Sequence, residues 1–268
     1  MTNLNVVVCA GIVPDPLQTL DPVQTGEKPG LRNEMMLPHV LDPWAGHALY
    51  EAAALVKETG GKLYVVSIGP KQKLQQVMMT IAQKVPFQLI ATDAAIGGFS
   101  DSKQVALQLA ELVKQIDGLD LSNTLIFGGW ESASRGAGTT MQMVGEILGV
   151  TDQFQGVDKI SLNGDGSFEV LERIEGGKHL HSSCSGAPAV LGWATGYLPE
   201  PPNNPQVGMT NMRTIMPALQ QAKPVDLENP ALTFTAVELP KQKRDTKIVK
   251  DTSVDEIAQE IVDWIKSK

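Results

Sequence analysis

The stretch with the clearest capacity for chemistry runs from Gly128 to Thr140, with the sequence GGWESASRGAGTT. It follows the apolar run Thr124 to Phe127 and precedes an apolar-periodic segment from Met141 to Leu148, so the predicted order is strand, loop, helix. Small residues let the backbone approach a ligand closely, and the first amides of the helix carry unpaired N–H groups. An anion such as a phosphate suits that position, and an ordinary glycine-rich turn between strand and helix is the alternative.

Three side chains of this loop strengthen the phosphate hypothesis. Thr139 and Thr140 add hydroxyl donors next to the helix start, and Arg135 adds a positive charge. Whether this is a phosphate-binding loop or an ordinary glycine-rich turn depends on which other segments the fold places beside it.

The composition indicates a folded protein with a proper core. The 268 residues are 42% hydrophobic and 19% charged, which is enough for one large or two small domains. No apolar run approaches about 18 residues, and the first five residues do not resemble a signal peptide, so we expect a cytoplasmic protein without membrane insertion. A net charge of -8 argues against a nucleic-acid partner, and only Lys241 to Arg244 is locally basic.

The two cysteines do not suggest a framework of disulfides or metal ligands. Cys9 and Cys184 lie on predicted buried strands and have no C-x-x-C spacing. We expect two buried thiols.

The first half of the chain alternates strands with helices of 10 to 15 residues, a pattern typical of a doubly wound, mostly parallel α/β sheet. The predicted strands are Asn5 to Ala10, Leu63 to Ile68, Phe87 to Ala91 and Thr124 to Phe127, and the predicted helices start at Asp42-Pro43, Lys71, Ser100 or Asp101, and Met141. Between the first strand and the first helix, Leu17 to Pro38 is rich in proline and glycine, and we expect an irregular excursion there.

Parallel sheets bind ligands beyond the carboxyl ends of their strands. Three segments follow strand ends here, namely Cys9 to Pro14, Ser67 to Pro70 and Gly129 to Thr140. We therefore expect them to line one nucleotide or phosphate crevice.

The second half changes to short strands separated by turns, which we interpret as an antiparallel extension of the same sheet. These strands are Val157 to Leu162, Phe168 to Ile174, His179 to Ser183 and Ala189 to Trp193. His179 and His181 alternate on one strand, but two imidazoles are too few for a metal site, so we expect a solvated or packed pair. Gly196 to Asn211 is predicted to be a long functional or mobile loop.

The last segment is predicted to be an arm that ends in a helix, so residues 1–225 form the α/β domain and 226–268 the arm. Ser253 to Glu256 has the sequence of a capping box, and an apolar stripe follows it. The stripe must be buried, either on the chain's own domain or on a partner subunit.

Taken in register, several of these segments resemble the β subunit of the electron transfer flavoproteins over nearly the whole chain. The matching segments are NVVVCAGIVPDP, LDPWAGHALYEAAALVKETGGKLYVVSIGP, GGWESASRGAGTT, VLERIEGGK followed by APAVLGW, and LPKQKRDTKIV before the final helix. The resemblance implies a Rossmann-like adenine-nucleotide-binding fold and a heterodimer with an α subunit that shares a redox-active FAD. It implies that electrons pass from a flavin dehydrogenase partner to a downstream acceptor.

The same resemblance implies that this chain binds an adenine nucleotide, either AMP or, in the electron-bifurcating branch, a second FAD. The implied contacts are Cys9, Asp42, Pro43, Trp44, Ala45, Ile68, Gly129, Trp130, Glu131, Ser132, Ala133, Ser134, Arg135, Gly136, Ala137, Gly138, Thr139 and Thr140. Gly11 to Pro16 would shield one face of the flavin, and Tyr197 to Met216 would dock partners. The arm would pack on the α subunit.

Two departures from the family pattern leave details open. Glu131 to Arg135 replaces an acidic, glutamine-rich stretch, and the gain of Arg135 suits an additional phosphate, so AMP and FAD both remain possible. Around Arg213 the family's Asn-x-Pro-Arg-Tyr motif is missing, which indicates a different docking mode. The turn Val13 to Asp15 is similar to that of the bifurcating branch.

No Ser-His-Asp or Cys-His pattern occurs at a recognisable spacing, so we expect an electron carrier subunit without catalytic residues of its own. The alternative is a stand-alone adenine-nucleotide-binding regulator of the universal-stress type, because Gly129 with Gly138 and Thr139 also resembles that family's phosphate loop. A scaffold with an empty crevice is a third hypothesis.

Overall fold

The computed structural model describes residues 3–26, 28–227, 230–240 and 246–267. The predicted basic cluster at Lys241 to Arg244 lies outside the described residues. Two compact units are distinguished, residues 1–237 and residues 238–268. None of the described helices combines the length and the apolar character needed to cross a membrane.

The larger unit is built on an eight-stranded sheet in which six neighbouring strands run parallel. In chain order its strands are β1 (Asn5–Cys9), β6 (Leu63–Gly69), β7 (Gln88–Asp93), β8 (Thr124–Gly129), β9 (Gln153–Leu162), β10 (Phe168–Ile174), β11 (Lys178–Cys184) and β12 (Ala189–Trp193). Their spatial order is β11-β10-β9-β12-β8-β1-β6-β7. The continuous apolar runs of the central strands are buried because both faces of the sheet are covered.

Helices cover the two faces separately. On one face lie α1 (Pro43–Thr59), α2 (Lys71–Ile81) and α5 (Pro205–Gln221), packed on Val8, Phe127 and Trp193. On the other face lie α3 (Ser102–Lys114) and α4 (Thr140–Leu148), packed on Val7 and Ile126. This confirms the predicted doubly wound α/β fold.

The residues predicted to start and end the helices lie at the helix ends in the structure. Asp42 caps α1 by accepting a hydrogen bond from the Trp44 N–H at 3.2 Å, and Pro43 occupies the first helical position. Gly60 ends α1 in the left-handed conformation with φ 75°. Asp101 caps α3 in the same way through the Lys103 N–H.

The excursion between β1 and α1 is more regular than predicted. β2 (Ile12–Pro14) pairs with β5 (His39–Leu41), and β3 (Pro22–Thr25) forms a hairpin with β4 (Lys28–Leu31). The prediction of an irregular Leu17 to Pro38 segment was therefore wrong. The prolines are tolerated because these two-stranded pairs leave one side of each strand without a ladder partner.

The antiparallel extension is confirmed for β9, β10 and β11, but the assignment of Ala189 to Trp193 to it was wrong. β12 runs parallel to both of its neighbours, β8 and β9. Hairpins join β9, β10 and β11 through short turns, whereas β12 inserts between β8 and β9. Because β12 follows β11 in the sequence, an antiparallel meander was expected. Its insertion between β8 and β9 depends instead on pairing with strands that are distant in the sequence.

The predicted long loop at Gly196 to Asn211 was also partly wrong, because its second half belongs to α5. Asn204 caps this helix by accepting from the Gln206 and Val207 N–H groups, and Pro205 takes the first position. Asn211, on the buried face, donates to the carbonyls of Ala82 and Val85 at 2.7 and 2.8 Å. Asn204 is thus a helix cap, and Asn211 is a buried residue that links α5 to the segment after α2.

In the described part of the smaller unit there is one helix, α6 (Val254–Lys266). Ser253 and Glu256 form the predicted capping box, and Lys247 pairs with Glu260. The apolar residues Ile257, Ile261, Val262, Trp264 and Ile265 are all exposed, between 36% and 61%.

Candidate functional site

The candidate site is a crevice at the carboxyl ends of β1, β6 and β8. β1 and β8 are neighbours in the sheet, and the chain continues from β1 toward β6 on one side but from β8 toward β9 on the other side. Such a switch point opens a crevice in doubly wound sheets. The crevice is open to solvent, and the space inside it is about 670 Å³ when counted to its open mouth.

The structure brings together most of the residues that the sequence suggested. Residues that line the crevice are Cys9, Asp42, Ala45, Ile68, Gly129, Trp130, Glu131, Ser132, Arg135, Ala137, Gly138, Thr139 and Thr140. Five others, Pro43, Trp44, Ala133, Ser134 and Gly136, do not line it and belong to its supporting backbone. The chain segments predicted to converge, after β1, at the end of β6 and after β8, are therefore neighbours.

Sequence reasoning missed an apolar wall on one side of the crevice. Ile96, Val105, Leu109 and Met141 line it, whereas Gly11 and Ile12, which also line the crevice, belong to the predicted segment Cys9 to Pro14. Val105 and Leu109 were recognisable as an inward helix face, but nothing in their spacing separated a crevice wall from core. Apolar side chains beside polar loop residues suit a ligand that has both an apolar part and a polar part.

Asp42 connects the start of helix α1 to the loop between β8 and α4, residues Trp130 to Thr139, which we call the 130s loop. Its Oδ2 accepts from the Ala133 N–H at 3.0 Å while its Oδ1 caps the helix, and the residue is 3% exposed. Burial raises the pKa of the Asp42 carboxyl above its usual value, and hydrogen bonds from Ser132, Ala133 and Trp44 with the charge of Arg135 only partly oppose this. One carboxylate thus fixes two of the predicted segments relative to each other.

Arg135 places a positive charge in the crevice. Burial lowers its pKa, and the nearby Asp42 carboxylate opposes that shift. Its Nε is buried, and among the described residues it has no hydrogen-bond partner. Because a buried donor without a partner is costly, this atom is available to an anionic ligand.

The start of α4 adds further donors. Thr139 is the N-cap residue, but its hydroxyl makes no capping hydrogen bond, so it remains available to a ligand together with the first amides of the helix. Gly136 and Gly138 have φ values of 58° and 63°, a conformation that side chains with a Cβ rarely adopt. The turn before the helix therefore depends on these glycines.

Gly129 allows the loop to pass close to α1. A Cβ at this position would lie 2.8 Å from the Trp44 Cβ and 2.7 Å from the Glu131 carbonyl oxygen. Gly129 is therefore needed for the close packing of the loop against α1, whether or not a ligand also approaches its backbone.

The cysteines are buried as predicted, and each histidine of the pair lies next to a carboxylate. His179 Nε2 lies 2.9 Å from Asp158 Oδ2, and His181 Nε2 lies 2.9 Å from Glu169 Oε2. Within the described parts of the chain, no group of three or more His, Cys, Asp or Glu side chains could hold a metal ion. Both cysteines are buried free thiols, and burial raises the pKa of Cys9 to about 12.

Comparison with known proteins agrees with this geometry. The family model described as the electron transfer flavoprotein domain matches residues 33–228, which is most of the chain and includes α1 and the 130s loop. The chain belongs to the electron transfer flavoprotein family.

One curated relative is the electron transfer flavoprotein subunit beta of Clostridium acetobutylicum. It is 27% identical over 163 residues, which are 60% of this chain and 58% of that protein. The match thus spans a little over half of the relative's length.

Proposed function

We propose that this chain is the β-type subunit of an electron transfer flavoprotein. In that role it pairs with an α-type subunit around a shared FAD and passes electrons from a flavin dehydrogenase to a downstream acceptor. Family membership and the β-subunit relative support this assignment. When bound, the flavin supplies the redox chemistry, and the protein supplies binding and orientation.

We further propose that the crevice holds an adenine nucleotide, with the phosphate at the 130s loop and the base against the apolar wall. The observation that carries this proposal is the buried Arg135 Nε without a protein partner, in a crevice that also contains the unused Thr139 hydroxyl and the start of α4. The donors form one polar end of the crevice, and Ile96, Val105 and Leu109 form an apolar side. AMP and a second FAD both contain the required adenosine phosphate.

The residues of this chain would act by binding and positioning. Asp42 would hold the 130s loop in place, Arg135 would meet a phosphate oxygen, and Ile68 and Ala45 would close the crevice floor. The predicted flavin shield at Gly11 to Pro16 includes strand β2, which is fixed by its pairing with β5. A fixed strand suits the exclusion of water from one face of a flavin.

The test is to co-express the chain with an α-type subunit, purify the complex, release its ligands with acid and quantify FAD and AMP. One FAD and one AMP per heterodimer would support an ordinary electron carrier with a structural nucleotide. Two FAD without AMP would support the bifurcating type. A colourless homodimer that retains ATP would contradict the electron-transfer role and favour the stand-alone regulator.

A further inference from the structure

A second cavity lies in the larger unit, lined by different residues from the nucleotide crevice. It is formed by α1, α2, β5 and the segment 198–200, and it encloses about 1000 Å³ counted to its mouth. Its apolar lining includes Val40, Leu41, Val77, Ile81, Leu198 and Pro199. Its polar lining is His39, His47, Tyr50, Thr80, Lys84 and Glu200.

Lys84 places a largely buried ammonium group at this cavity. Its side chain is 13% exposed, and its Nζ lies 2.6 Å from Glu200 Oε1. Glu200, in contrast, is 59% exposed. A buried cation needs an anion beside it, but an exposed carboxylate loses little when it moves into water. The anionic partner of Lys84 can therefore be exchanged, and a ligand that replaces Glu200 must also replace it as the acceptor of the Tyr50 hydroxyl.

The segment that carries Glu200 is held at its two ends. Glu51 Oε1 accepts from the N–H groups of Tyr197 and Leu198 at 2.7 and 2.9 Å, and Asn204 donates its N–H to the Gln83 carbonyl at 2.7 Å. Between these anchors, Pro199, Pro201 and Pro202 have no N–H to donate. Because the Glu200 side chain is 59% exposed, it can rotate away from Lys84 while both anchors stay in place.

His47 adds a polar atom with no assigned role. Its Nδ1 is buried, and no residue in the described part of the chain pairs with it. Burial lowers the pKa of both His39 and His47, which favours the neutral form of each imidazole. Lys84 is the lysine of the cavity lining, and its ammonium group contacts Glu200.

We propose that this cavity binds a small carboxylate with an apolar body, whose carboxylate replaces Glu200 at Lys84. The apolar body lies between α1 and α2, against Leu41, Val77 and Ile81. Glu200 acts as an internal competitor that occupies the cation when no ligand is bound. No residue of the nucleotide crevice takes part in this proposal, whereas Leu198, Pro199 and Glu200 belong to the segment that the family resemblance assigns to partner docking.

The test is calorimetric titration of octanoate into the full chain, in the complex in which it purifies, with octan-1-ol as the uncharged control. We expect saturable octanoate binding and at least about tenfold weaker binding of octanol, because the alcohol leaves the ammonium unpaired. Glu200→Gln removes the competing charge and is expected to tighten octanoate binding several-fold. Lys84→Met is expected to weaken it by about tenfold or more.

Glu169→Gln is the matched control for Glu200→Gln, because Glu169 is also a partly exposed carboxylate, and it pairs with His181 far from this cavity. It should leave octanoate affinity unchanged. The proposal is overturned if the wild-type chain shows no saturable binding at millimolar octanoate, or if Glu200→Gln binds as the wild type does. It is equally overturned if a folded Lys84→Met variant keeps wild-type affinity for octanoate. If Lys84→Met does not fold, the Glu200→Gln variant still tests the proposal, because Glu200 is exposed.

Discussion

At the scale of single residues, Arg135 and Asp42 place opposite charges in one corner of the crevice. Asp42 already accepts hydrogen bonds from two backbone amides, so its oxygens serve the protein. Arg135 keeps a buried donor without a partner among the described residues. Asp42 therefore holds the loop and the helix start together, whereas the Arg135 guanidinium is available to bind a ligand.

Replacing Arg135 with alanine is expected to weaken nucleotide binding by about ten- to a hundredfold, because a charge-assisted hydrogen bond contributes roughly 1.5–3 kcal/mol. Nucleotide retained through purification, measured after acid release, should fall accordingly. Arg32→Ala is the matched control, since Arg32 is an exposed arginine that pairs with Asp21 at 3.6 Å. Equal nucleotide content in both variants would show that Arg135 does not meet the phosphate.

Asp158 is a buried carboxylate that organises the antiparallel part of the sheet. It accepts from Arg173 Nε and Nη2 at 3.0 and 2.8 Å, from His179, and from the Thr195 N–H at 3.3 Å. Burial raises its pKa, but these hydrogen bonds outweigh burial and hold the pKa below its usual value. The stabilisation is therefore present above about pH 4 and is lost as the pH falls through the lowered pKa.

Asp158→Asn is expected to lower the free energy of unfolding by roughly 1–3 kcal/mol at pH 7, because two partners of the carboxylate lose a charged acceptor. Between about pH 4 and about pH 2, the variant should lose less stability than the wild type. Urea unfolding across this pH range measures both effects. Glu169→Gln, which disrupts an exposed pair on the same sheet, should change stability by less than about 1 kcal/mol, and a comparable loss would argue against the role of Asp158.

At the scale of elements, the β8-loop-α4 unit is shaped by close contacts with α1 as well as by its own sequence. Gly129→Ala is expected to destabilise the protein by about 1–3 kcal/mol, since the new methyl group would meet backbone and the Trp44 Cβ within 2.8 Å. Gly164→Ala is the matched control, because nothing lies within 4 Å of a Cβ at that turn. Thermal unfolding should separate the two variants by several degrees, and equal melting temperatures would rule out the packing role.

At the scale of the whole molecule, the apolar stripe of α6 is the largest feature that the chain leaves exposed in its smaller unit. Ile257 and Ile261 lie one turn apart on this stripe, and the proposed α-type subunit is its expected partner. Substituting both with serine should reduce co-purification of an α-type subunit, because each buried isoleucine contributes about 1.5–3 kcal/mol.

Gln259→Ser, on the polar side of α6, should leave co-purification unchanged. Pull-down with a tagged α-type subunit, at matched expression of both chains, gives the comparison. Retention of the complex by the double serine variant would show that the stripe is not part of the interface.

The sequence by itself determined the doubly wound core, the caps of the helices and the convergence of three loops at one sheet edge. These features follow from local signals: buried β-branched runs, Asp-Pro at a helix start, and glycines at helix ends. Hydrophobic periodicity and capping depend on residues within a few positions of one another, so they are visible in a linear chain.

Only the tertiary structure decided the position of β12, the helical state of α5, and which predicted site residues line the crevice. β12 inserts between β8 and β9, Asn211 anchors α5 to Ala82 and Val85, and Asp42 binds the Ala133 amide across 91 positions of sequence. Each of these depends on pairing between distant segments. Such contacts form because they bury apolar surface and satisfy the hydrogen-bonding groups of the backbone. The local conformational propensity of a segment does not indicate which distant segment it will pair with.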